Sequence, residues 1–141
     1  MSGLAQLLRV LIVHGNGDLA SIWSRFLGRE GVVCRLAANA PQAIELLRRE
    51  PFDAIVLDVE MREDAIAVSD FADYRHPGIP VIAVTARSFF SDGAVFELIP
   101  NARSVQPAAP RLPDLAALIA HYGSRYRASG ARRAVPAVSM R

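Results

Sequence analysis

The chain has 141 residues, 52% hydrophobic and 21% charged, which fits one soluble globular domain; no apolar run approaches the roughly 20 residues a membrane-spanning helix needs. All 16 basic residues are arginine, which excludes any chemistry that requires a lysine ammonium, and the single cysteine, Cys34, excludes an internal disulfide and is expected to be a buried, inert thiol. The net charge of +2 is uneven: 11 arginines against 14 acidic residues leave 1–123 at −3, whereas 124–141 carries five arginines and no acid.

Met1 to Leu8 lacks the basic start and small-residue cleavage site of a secretory signal, so a cytoplasmic location is expected. Arg9-Val10-Leu11-Ile12-Val13 is a continuous apolar run closed by His14-Gly15-Asn16-Gly17, the pattern of a strand buried on both faces and followed by a turn. Asp18 is placed to cap the next helix, whose Leu19, Ile22, Trp23, Phe26 and Leu27 form the stripe of a helix packed on a sheet, with Gly31 as its left-handed stop. Val32 to Leu36 reads as a strand, Asn39 to Glu50 as a helix with Pro41 in its first turn, and Asp53 to Asp58 as a strand bounded by Pro51. A weaker amphipathic segment from Glu63 to Tyr74 follows, then a strand from Pro80 to Thr85 and a short helix from Phe89 to Leu98. A strand from Arg103 to Gln106 and a helix from Leu112 to Tyr122 complete five βα units. The domain is thus expected over 1–123, with 124–141 as a basic, disordered tail.

Apolar strands alternating with helices imply a parallel sheet covered on both faces by right-handed crossovers, a three-layer, doubly wound α/β fold. Chemistry in such sheets gathers outside the carboxyl ends of the strands. The loops to inspect are therefore His14 to Asp18, Asp58 to Met61, Thr85 to Arg87 and Gln106-Pro107.

In order and at these spacings, several segments resemble the receiver domains of bacterial response regulators over residues 8 to 123: the strand ending in Asp58, its distance from Leu11-Ile12-Val13, the Ala38 to Leu47 segment, and Pro80-Val81-Ile82-Ala83-Val84-Thr85-Ala86. The resemblance implies a flavodoxin-like, five-stranded sheet of order 2-1-3-4-5 and makes Asp58 the candidate phosphoacceptor, which in the family takes a phosphoryl group from a histidine kinase. The transferring group spreads negative charge over its oxygens, so Mg²⁺ and fixed donors must surround it, and Mg²⁺ needs hard oxygen ligands. Where the family has two acidic residues after the first strand, this chain has His14 and Gly15. Where it has a lysine before a proline, this chain has Gln106-Pro107, and the switch aromatic three residues earlier is Arg103. Thr85 and Ala86 match the family's hydroxyl position and its neighbour, so half of the phosphoryl pocket is kept. Val59-Glu60-Met61-Arg62-Glu63-Asp64 replaces the usual methionine-proline step and Asp-Gly turn, which implies an altered third loop.

Each feature also has a plainer reading. Asp58 can serve as a cap at its strand end, Asp18 as an N-cap and Glu60 as a solvated side chain, although Asp18 and Glu60 are the candidates for rebuilding a metal site. His14 beside Asp58 would form a pH-sensitive lock whose imidazolium replaces part of the missing metal charge, or else be a neutral loop histidine. Gly15-Asn16-Gly17 lacks the full spacing of a phosphate loop and reads as a tight turn. No Ser-His-Asp order, HExxH or CxxC pattern is present, and no enzyme activity is expected. The arginine-rich tail has the composition to grip an acidic partner by counterion release, but solvation is the commoner role, and neither nucleic acid nor membrane is expected as a partner.

The expected function is therefore that of an atypical, stand-alone pseudo-receiver in phosphorelay signalling that acts by protein contact without phosphorylation, Mg²⁺ or another cofactor. Its expected partners are a histidine kinase or a downstream regulator, and a second copy through the face built from the fourth helix, fifth strand and fifth helix, with Phe89, Phe90, Val95 and Phe96 as candidates either there or for the core. A phosphoacceptor with a rebuilt metal site and a binder of small ligands at the strand ends are the alternatives.

Overall fold

In the computed structural model the described residues are 7–86 and 92–130. Within them the chain alternates β1 (Arg9–Val13), α1 (Gly17–Arg29), β2 (Val33–Ala37), α2 (Ala40–Arg49), β3 (Ala54–Asp58), α3 (Glu63–Arg75), β4 (Val81–Thr85), α4 (Asp92–Leu98), β5 (Ala102–Pro107) and α5 (Leu112–Ala128), with a 3₁₀ turn at Val59–Met61 between β3 and α3. The strands form one parallel sheet of order β2-β1-β3-β4-β5, as the sequence reading expects.

Strand composition follows position in the sheet. Central β3 and β4 are buried at every residue, which is why Ala54 to Asp58 and Val81 to Thr85 read as unbroken apolar runs, whereas edge strands β2 and β5 are only partly buried. Alternate side chains feed two cores. One face of the sheet packs Leu11, Val13, Ile55 and Leu57 with residues of α2 and α3 such as Leu47, Val68 and Ala72. The other packs Val10, Ile12, Val56, Ile82 and Val84 with α1 and α5 through Trp23, Leu27, Leu115 and Ile119.

Four local expectations are corrected. Asn16, not Asp18, caps α1: its Oδ1 accepts the N–H groups of Asp18 and Leu19 at 3.0 and 3.1 Å, so Asp18 lies in the first helical turn. The buried stripe of α1 is Ala20, Trp23 and Leu27, and Leu19 and Ile22 are exposed to either side of it. Helix α5 continues through Ala128, six residues beyond its expected end, since Tyr126 is buried beneath it and Arg127 reaches the fully buried Asp53, with Nε 3.7 Å from Oδ1. The tail expected from residue 124 therefore begins inside a helix, and 131–141 lie outside the described residues. Of the apolar residues expected near α4, Val95 is core and Phe96 is exposed, while Phe89 and Phe90 lie outside the described residues. Gly31 stops α1 with φ 89°, as expected. Cys34 is half-buried, and burial pushes its thiol up to about 11, partly offset by a hydrogen bond with Ser24.

Candidate functional site at the carboxyl ends of the strands

The parallel register brings the ends of β1, β3 and β4 side by side, with Val13 opposite Leu57 and Asp58 opposite Val84. Asp58 ends β3 as a buried carboxylate, and its Oδ1 accepts the Glu60 N–H at 3.0 Å, which caps the 3₁₀ turn. The capping reading of Asp58 is thus realised on one of its two oxygens.

The other oxygen faces His14. That imidazole is buried at the end of β1, edge-on to Trp23 with ring centroids 5.0 Å apart, and its Nε2 lies 3.8 Å from Asp58 Oδ2. The Asn16 N–H donates to His14 Nδ1 at 2.9 Å, so Nδ1 carries no proton and the ring hydrogen sits on Nε2, directed toward Asp58. At 3.8 Å the two side chains are neighbours but short of a direct hydrogen bond.

Across the crevice, Glu60 does not face solvent. Its Oε2 accepts the Thr85 hydroxyl at 2.6 Å and the Ala86 N–H at 3.0 Å, so the carboxylate takes both donors at the end of β4. The 2.6 Å contact is in the range of a charge-assisted O–H···O⁻ bond. The sequence offered Glu60 as a metal candidate or a solvated side chain; its partner was hidden because Glu60 and Thr85 lie 25 residues apart and meet through the fold of the chain.

The remaining expected residues stay apart from Asp58. Gln106 folds back along its own strand, its Nε2 donating to Ser104 Oγ at 2.9 Å and the Val105 carbonyl at 3.1 Å, so the amide does not stand in for a lysine above the carboxylate. Pro107 ends β5 opposite Thr85, and Arg103 is exposed near the other end of that strand. Gly15 is exposed, and a Cβ built there or at Gly17 meets nothing within 4 Å; neither has a positive φ, so the turn does not depend on glycine. Asp18 is exposed on α1. Arg87 lies outside the described residues.

These residues do not fit a magnesium site. Mg²⁺ demands several hard oxygen ligands in near-octahedral geometry, yet Asp58 is flanked by an imidazole on one side and Glu60 has turned its carboxylate onto Thr85 and Ala86 on the other. Among the described residues no group of three or more His, Cys, Asp or Glu side chains converges to hold a metal.

Residues 10–95 match the family model of the response regulator receiver domain. The chain is 34% identical over 79 residues to the response regulator protein PilR of Pseudomonas aeruginosa, covering 55% of this chain and 18% of that protein. It is 27% identical over 119 residues to the DNA-binding transcriptional regulator NtrC of Proteus hauseri, covering 84% of this chain and 25% of that protein. It thus spans a quarter or less of the length of these curated relatives. Among solved structures, it superposes with a TM-score of 0.78 on a CheY-like receiver domain protein from Methanospirillum hungatei, at 22% identity, covering 89% of this chain and 100% of that one. The receiver domain of a sensor histidine kinase from Pseudomonas aeruginosa, solved with a magnesium ion coordinated in its active site cleft, gives 0.71 at 18% identity, covering 84% and 99%. These two likenesses show the shared fold.

Proposed function

Because the chain belongs to the family of response regulator receiver domains, signalling modules of two-component systems, we propose that it transmits a signal by contact with protein partners and without phosphorylation of Asp58. The observation that carries this reading is the state of the crevice. Phosphoryl transfer is catalysed by preorganised positive charge and donors aimed at the transferring oxygens. Here the metal-binding acids are His14 and Gly15, Gln106 is turned away, and the Thr85 and Ala86 donors already hold Glu60. On this reading the module is not an enzyme and uses neither Mg²⁺ nor another cofactor.

His14 supports the same reading. Its Nε2–H lies toward Asp58 on the side where the family places its metal ligands, so the ring presents a hydrogen there and offers no metal ligand. The partners proposed are a histidine kinase or a downstream regulator, together with a second copy through the α4-β5-α5 face, where Phe96 and Leu98 are exposed.

The test is incubation of the full chain with a small phosphodonor such as acetyl phosphate and Mg²⁺, read by intact mass. An unchanged mass is expected. A phosphoryl adduct that disappears in Asp58→Ala would instead establish a phosphoacceptor with an unusual site.

A further inference from the structure

We infer that Glu60 is a built-in occupant of the anion-binding donors at the end of β4, a latch whose carboxylate holds Thr85 Oγ1 and Ala86 N–H and so closes the crevice beside Asp58 from within. The inference rests on the proposal above in taking Asp58 as the centre of the crevice, and it adds what keeps the crevice shut.

Three observations carry it. First, Glu60 is held at both ends: its backbone N–H is fixed by Asp58 Oδ1 at 3.0 Å, and its Oε2 accepts two donors from β4 at 2.6 and 3.0 Å. Any oxyanion attached to Asp58 would need those same two donors, and it would also meet the carboxylate of Glu60 that holds them. Second, the turn that presents Glu60 ends in strain. Arg62 has φ 56° and ψ −116°, the sole positive φ outside glycine among the described residues, in a region that a side chain resists. A latched Glu60 supplies a reason for the turn to hold that conformation. Third, there is room for the turn to move. A cavity of about 220 Å³ lined by Val59, Glu60, Arg62, Ile66, Leu98 and Ile99 lies between the start of α3 and the end of α4. Release of Glu60 from β4 frees the 3₁₀ turn to relax toward this cavity, and Ala86 loses its tie to the turn.

The device depends on the residue types at positions 60 and 62. A short or neutral side chain at position 60 cannot present a carboxylate to Thr85, and glycine at position 62 would carry no strain.

The experiment uses the full chain and its Glu60→Ala and Glu60→Gln variants, read by NMR. In the wild type, a scalar coupling through the hydrogen bond between the Ala86 nitrogen and the Glu60 carboxyl carbon is expected, a measurement that needs no variant. In Glu60→Ala the Ala86 amide is expected to exchange with solvent at least about tenfold faster, as expected when the carboxylate that accepts its hydrogen is removed. Glu60→Gln keeps the shape and is expected to fall between the two. Absence of the coupling, or an Ala86 amide unchanged by both variants, overturns the latch. The two readings fail separately: a phosphoryl adduct on Asp58 counts against phosphorylation-independent signalling, whereas the latch is judged by the Ala86 amide.

Discussion

At the scale of single residues, Cys34 and Arg62 give predictions with definite signs. Burial raises the Cys34 thiol from 9.0 to about 11. The folded state therefore keeps its proton at a pH where the unfolded chain has begun to lose it, so this contribution to stability is fully present below pH 9.0 and is lost as pH rises toward about 11. Urea midpoints should fall across that window in the wild type, with a shallower fall in Cys34→Ser, and alkylation of Cys34 at pH 8 should be much slower in the folded protein than in urea. Arg62→Gly should raise stability by about 1 kcal/mol in urea unfolding, because relief of the strained φ exceeds the extra freedom glycine gives the unfolded chain. A fall of similar size would mean that the backbone at Arg62 is not strained. The sequence marked this loop as departing from the family but not the positive φ, which is a property of the backbone that no residue type announces when the residue is arginine.

At the scale of elements, α5 is the one whose extent composition misjudged. Ser124 to Arg127 looks like the start of a solvated tail because arginines and small residues dominate it, yet every third or fourth position still turns inward, from Ile119 through Gly123 to Tyr126. Arg127 joins the fully buried Asp53, whose Oδ2 also accepts the Arg9 N–H at 2.8 Å, so the last turn of α5 is tied to the starts of β1 and β3. Ending the chain at Gly123, or replacing Tyr126 by alanine, should each cost roughly 3 kcal/mol, read as a lower urea midpoint. A neutral result in both would return the boundary to residue 123. Strands were far more legible than this helix end. Buried parallel strands announce themselves as unbroken runs of apolar residues, and Asp58 and Thr85 follow such runs directly, so their place at the carboxyl ends of the strands could be read off the chain. Glu60 sits in an irregular turn, where no periodicity tells which way a side chain aims.

For the whole molecule, two cores share one sheet, so side chains of one strand serve both and a single cooperative unfolding transition is expected. If Asp18 or Glu60 had rebuilt a metal site, saturating Mg²⁺ would add about 2.7 kcal/mol at one hundred times its dissociation constant and raise the midpoint by several degrees. The expected outcome is a melting midpoint that differs by less than about 1 °C between Mg²⁺ and a chelator, a shift too small for specific binding. Fold class and strand order were readable in full from the alternation and the resemblance, because both depend on many residues at once; the crevice was readable only as a set of substitutions, because what its residues do depends on which way each side chain turns. One of those turns makes the protein report on itself. The chain has a single tryptophan, Trp23, buried with its ring edge-on to His14 at 5.0 Å. Indole emission responds to the polar groups that touch its ring, so the ultraviolet fluorescence of the unlabelled protein is an optical gauge of the crevice around Asp58, and a partner that reaches the crevice should announce its arrival as a change in that light.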